Sequence, residues 1–121
     1  MKKENRHINY MKDIQKNLLN VLDYATQYEK LLHKEQEGKQ IDKRQLELEM
    51  RGIERSFEIA GEAANRVSID IQEKYPNIAW HAMTKLRNVI SYEYDGIREK
   101  VLLDTAKEDI PSTLLTGMDK R

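Results

Sequence analysis

Leu46, Met50, Ile53, Phe57, Ala60, Ala64, Val67 and Ile71 follow one another in alternating steps of four and three residues. Such steps keep side chains on one stripe of an α-helix and cannot keep them on one face of a strand, whose period is two. This seam constrains the fold more than any other feature. It predicts a helix over residues 43–74, with Asp42 as its N-cap. At 1.5 Å per residue that helix is about 45 Å long. Part of it is therefore expected to pack against a second subunit as well as its own chain. Gly61 sits inside the helix at a cost of about 1 kcal/mol relative to alanine. Together with Ala60, Ala63 and Ala64 it forms a small-residue patch suited to close helix approach. A coiled-coil adaptor with no chemical site would carry the same seam.

The other segments follow the same periodicity. Met11, Ile14, Leu18, Val21 or Leu22, Ala25, Tyr28 and Leu32 predict a first helix starting near Asn9. It ends in the charged run His33–Glu37, where Gly38 can supply a left-handed cap. Beyond the seam, Tyr75-Pro76-Asn77 breaks the pattern, because proline lacks a backbone donor and restricts the residue before it. Trp80, Met83, Leu86 (or Arg87) and Ile90 predict a further helix, in which Trp80 and Met83 read as core. Asp95-Gly96 is a turn signal. Ile97, Val101, Leu102, Thr105, Ala106 and Ile110 predict the next helix, ended by Pro111-Ser112, with Leu114 and Leu115 in a short last turn. The expectation is a single all-α domain over residues 1–121, an antiparallel bundle of four to five helices that forms a homodimer, with ends at 1–8 and 116–121 frayed.

Several classes of function fall away on composition. The 121 residues include no cysteine, which excludes disulfides, thiolate metal sites and cysteine nucleophiles. With 21 basic and 21 acidic residues the chain has no global field for polyanions, so binding RNA would need a local patch. No apolar run is long enough to span a bilayer, and Met1–Asn5 does not lead into a signal-peptide core. The expected location is the cytoplasm. No glycine-rich phosphate loop and no metal-ligand spacing is present, so neither a cofactor nor a metal is expected.

Polar and aromatic groups crowd together in one place, from Leu86 to Gly96, as the apolar pattern of its helix runs out. Arg87, Asn88, Tyr92 and Tyr94 can there hold an anion, hydrogen-bond a base or accept a modification. The plain alternative is a solvated helix end on which Asn88 caps backbone groups and Tyr92 packs.

Three pieces read in order, with a fourth downstream, resemble one family. Phe57-Glu58-Ile59-Ala60-Gly61-Glu62-Ala63-Ala64-Asn65-Arg66 is similar to its "GEA" helix, and Tyr75-Pro76-Asn77-Ile78-Ala79-Trp80 to its "YPxIPW" link. Arg87-Asn88-Val89-Ile90-Ser91-Tyr92-Glu93-Tyr94-Asp95-Gly96-Ile97 lies where the family carries "RNxxxHxYxGI", and Glu108-Asp109-Ile110-Pro111 resembles its closing "EDLP". The family is the HepT-like branch of the HEPN domains, and the likeness covers roughly residues 50–112. It implies a helical bundle that dimerises with the motifs of two subunits meeting at a cleft. It implies a metal-independent endoribonuclease that is the toxin of a toxin–antitoxin pair, acting on tRNA or messenger RNA. The implied partner is an MNT-type nucleotidyltransferase, MntA, which neutralises the toxin by transferring AMP to the motif tyrosine.

Carried over by residue, Arg87 is the motif arginine, Asn88 the polar residue after it and Tyr94 the acceptor of AMP. The catalytic histidine falls on Tyr92. Metal-free RNA cleavage needs one group to take the 2′-hydroxyl proton and one to protonate the leaving oxygen. Histidine, with a reference pKa of about 6.5, does both; tyrosine, at about 10, is a poor base at neutral pH. Binding through Arg87 should persist while cleavage is lost or greatly weakened. His7, His33 and His81 offer no evident substitute, His81 lying nearly two helical turns before Arg87. Glu62 reads either as an i,i+4 ion-pair partner of Arg66 or as support beside the cleft.

Overall fold

The computed structural model describes residues 3–92, 95–108 and 110, with the backbone alone at 3–7, 87, 88, 91, 92 and 95. Among these described residues are five helices: α1 (Lys3–Gln36), α2 (Lys43–Arg66), α3 (Ile69–Lys74), α4 (Trp80–Tyr92) and α5 (Asp95–Glu108). No described residue lies in a strand. The all-α bundle expected from periodicity is the observed fold.

Helix α1 runs for 34 residues and starts at Lys3, ahead of the first apolar position of its stripe. It ends as the glycine predicts. Gly38 has φ 82°; the amide of Lys39 donates to the carbonyl of Lys34 at 3.0 Å and that of Gly38 to Glu35 at 3.0 Å. This is the Schellman pattern, in which a left-handed residue lets two later amides satisfy the last carbonyls. Helix α2 starts on Asp42, whose Oδ1 accepts from the amides of Arg44 at 2.9 Å and Gln45 at 3.4 Å. Removing that acceptor with Asp42→Ala should lower stability by about 1 kcal/mol, while Asp42→Asn should retain most of it. Chemical denaturation of the two variants beside the wild type checks this.

The seam predicts one helix through residue 74, and the structure breaks it. Helix α2 has 24 residues, about 36 Å of rise, and Val67 leaves it in an extended conformation with φ −77° and ψ 131°. The Gln72 side-chain amide donates to the carbonyls of Val67 at 3.0 Å and Ala64 at 3.3 Å. It therefore satisfies acceptors that a continuing helix would have used. After Val67 and Ser68, both extended, the six residues of α3 form a separate helix. The apolar spacing persists through the break because Val67 and Ile71 still pack on the core; hydrophobic period reports the buried face and is blind to a kink.

Helix α2 is the axis of the bundle, packed on α1, α4 and α5. Ile53, Phe57, Ala60 and Ala64 from it meet Ile14, Leu18 and Val21 of α1, Met83 and Leu86 of α4, and Leu102, Ala106 and Ile110 in one buried cluster. Ala60, Gly61, Ala63 and Ala64 are all buried within this single chain. At Gly52 a Cβ would stand 2.7 Å from the ring of Tyr24 on α1. Asp95-Gly96 also differs from its reading as a turn: both residues lie in the first turn of α5, and Gly96 has no positive φ. Pro111, Leu114 and Leu115 lie outside the described residues, as do 116–121. Among the described residues no helix is long and apolar enough to cross a membrane.

Candidate functional site

The Tyr-Pro-Asn break sets where α4 begins. The amide of Ile78 donates to the carbonyl of Tyr75 at 3.1 Å, closing a turn around Pro76. The Trp80 indole Nε1 donates to the same carbonyl at 2.9 Å. Ile78 and Trp80 are buried, so the link is fastened to the core by its own apolar residues and the indole finds its polar partner inside the turn. From that anchor Met83 and Leu86 descend into the core and Ile90 packs at its margin. Trp80 and Met83 are thus core residues, as their spacing predicts.

The backbone then places Arg87 and Asn88 directly after Leu86, and Tyr92 as the last residue of α4. Tyr92 follows Arg87 by five helical steps, about 7.5 Å of axial rise. The side chains of Arg87, Asn88 and Tyr92 lie outside the described residues, as does the whole of Tyr94.

Glu62 sits on α2, half-exposed, and its Oε1 accepts from Arg66 Nη2 at 3.1 Å and Nε at 3.3 Å. Arg66 is held above its ordinary pKa first by a hydrogen bond with Tyr10 of α1 and then by Glu62. Tyr10, Asp13, Arg55, Glu58, Glu62 and Arg66 line a groove of about 470 Å³ between α1 and α2. Its three carboxylates outnumber its two guanidiniums, so it is not a basic patch for a polyanion. The i,i+4 pairing predicted for Glu62 is formed.

A second polar cluster joins three helices and was not singled out by spacing. Nε of Arg98 on α5 lies 2.6 Å from Oε2 of Glu54 on α2, close enough to pair although its N–H is not aligned on that oxygen. Nη1 of Arg98 donates to the carbonyl of Ile90 on α4 at 3.4 Å. Next to it, the Tyr28 hydroxyl of α1 donates to Oε2 of Glu99 at 3.2 Å. Tyr28, Lys43, Met50, Glu54, Arg98 and Glu99 line the shallow pocket around these contacts. The only signal available in the sequence was a glutamate one step beside the seam and an arginine early in a helix. Neither announces a partner 44 residues away.

Burial pushes the Tyr28 phenol up to about 12, with Glu99 adding to the rise through its charge and the hydrogen bond. A pKa raised above the unfolded value of about 10 favours the protonated fold. The contribution is complete below pH 10 and is lost as pH climbs from 10 towards 12. Thermal melts from pH 8 to 11.5 should show wild type losing stability relative to Tyr28→Phe only in the upper part of that range. Parallel curves would refute the assignment.

Among the described residues no group of three or more His, Asp or Glu is arranged to hold a metal ion. What the fold does bring together is α2, which carries the Gly61-Glu62-Ala63 motif, and α4, which carries Arg87, Asn88 and Tyr92, packed on each other.

A family model described as Ribonuclease HepT-like matches residues 9–115. A protein of Methanocaldococcus jannaschii that carries a provisional RNase name is 42% identical over 57 residues, 47% of this chain and 52% of that protein. A protein of Thermococcus cleftensis named probable ribonuclease HepT is 40% identical over 58 residues, 48% of this chain and 53% of its own length. A protein of Caldanaerobacter subterraneus, also with a provisional RNase name, is 30% identical over 61 residues, 50% and 54% of the two chains. The chain spans about half the length of the curated relatives it matches. No solved structure matches it. With the helical bundle, the packed α2 and α4 and a family match that runs from α1 past the end of α5, the chain belongs to the HepT-like ribonucleases of the HEPN group.

Proposed function

We propose that this protein is the toxin component of a HEPN/MNT toxin–antitoxin system, built as a metal-independent endoribonuclease and impaired in cleavage by Tyr92. It works as a cytoplasmic homodimer on tRNA or messenger RNA. A cognate MNT-type nucleotidyltransferase, MntA-like, neutralises it by transferring AMP to Tyr94. The observation that carries the reading is the ordered motif set on the packed helices α2 and α4 of a HepT-like chain, with tyrosine where the motif has histidine.

In this reading Arg87 holds the phosphate flanking the scissile bond, since a guanidinium offers a fixed fork of donors to an anion. Asn88 orients the arginine or the substrate. Tyr92 donates a hydrogen bond but cannot accept the 2′-hydroxyl proton at neutral pH. Glu62, paired with Arg66, takes a supporting role beside the cleft. Cleavage of purified RNA by the wild type beside Tyr92→His tests the catalytic claim, and equal activity in both would sink the impairment.

The same tyrosine favours a second reading, a non-catalytic helical partner that binds and positions the nucleotidyltransferase. That reading expects Tyr92→His to remain without cleavage while the complex with the nucleotidyltransferase still forms on a sizing column.

A further inference from the structure

The C-terminal end of α4 is held by a residue that the family motif does not use for chemistry. Ile90 is among the last four residues of α4, whose carbonyls no later amide of the helix can reach. Arg98 meets that carbonyl through Nη1 at 3.4 Å, placing a cation at the negative end of the helix dipole. Through Nε it meets Glu54 on the central helix at 2.6 Å. One planar guanidinium with donors on separate nitrogens can serve a carboxylate and a carbonyl at once; a lysine ammonium, a single point charge, serves the pair less well.

The environment separates this contact from the surface pairs. The Arg98 and Glu54 side chains are 24% and 17% exposed, against 58% and 46% for Arg66 and Glu62. Water and salt screen the first pair far less. The start of α5 is itself anchored on a second side, because Glu99 accepts from Tyr28 of α1. The end of α4 is thus tied to α5, and α5 to both α1 and α2.

We propose that Arg98, held by Glu54, is a positioning residue: it fixes the C-terminal half of α4, which carries Arg87, Asn88 and Tyr92, against the central helix α2. The functional part of this proposal rests on the reading of α4 as the ribonuclease site. Metal-free cleavage depends on placing two proton-transfer groups and a phosphate contact within a fraction of an ångström, and a misplacement of about 1 Å can cost about 10²-fold in rate.

The test uses full-length protein in a Tyr92→His background. Arg98→Met keeps the aliphatic stem and removes the cation. It should raise amide hydrogen exchange at residues 89–92 about tenfold while amides 53–64 of α2 keep their protection. It should also lower kcat for RNA about tenfold or more with KM within about twofold, and Arg98→Lys should recover part of both effects. Exchange that stays unchanged at 89–92, or that rises equally in α2, overturns the proposal. So does an unchanged kcat in a cleaving background. The exchange measurement needs no RNA: if Tyr92→His fails to cleave, the functional reading falls, and exchange alone decides whether Arg98 positions α4.

Discussion

Tyr92→His is expected to raise RNA cleavage by about 10²–10⁴-fold, the usual contribution of general acid–base catalysis. The tyrosine hydroxyl, with a reference pKa of about 10, is almost wholly protonated at neutral pH, whereas an imidazole near 6.5 exists in both forms and can take and return a proton. The gain should appear in kcat. Phosphate binding, assigned to Arg87, should change little, so RNA affinity in a filter-binding assay is expected to stay within about twofold. The restored activity should follow a pH profile with a limb near the histidine range, a signature that a mere packing effect would lack. Arg87→Ala placed on top of Tyr92→His should remove the gain. A Tyr92→His protein no more active than wild type would mean that tyrosine is not the defect.

Complete loss of AMP incorporation in Tyr94→Phe is the second large effect. With ATP and the cognate nucleotidyltransferase, the wild-type chain should gain one AMP-sized increment by intact mass. In that step the Tyr94 oxygen bonds to the α-phosphorus of ATP, the bond from that phosphorus to the bridging oxygen of pyrophosphate breaks, and the phenol proton passes to a base of the transferase. Phenylalanine lacks the oxygen but keeps the ring, so binding of the transferase should survive while transfer stops. The modification adds a charged nucleotide two residues from Tyr92, where it would compete with RNA phosphate for the arginine. An increment that persists in Tyr94→Phe would move the acceptor to another residue; no increment in wild type would remove the reaction.

The sequence by itself determined the helices, the core and the family. The stripe of α2, the caps at Asp42 and Gly38 and the break at Pro76 are local relations between residues a few positions apart, and local geometry is what a linear pattern records. Leu86 and Met83 are buried where their spacing put them. The motif set from Gly61 to Ile97 identified the family for the same reason: its residues are close in sequence and keep their order.

Only the tertiary structure decided where the seam helix stops and what the charged residues near it touch. Val67 and Ile71 hold the apolar period across the break, and it takes the reach of Gln72 to the last carbonyls of α2 to show why the helix ends at Arg66. Asp95-Gly96 reads as a turn because these residues favour turns, yet its backbone opens α5. The pairing of Arg98 with Glu54 and of Tyr28 with Glu99 joins residues 44 and 71 positions apart. Neither charge nor period distinguishes those side chains from their solvated neighbours. Their partners exist only because the helices pack on one another, which brings Arg98 of α5 to Glu54 of α2 and the Ile90 carbonyl of α4, and Glu99 of α5 to Tyr28 of α1.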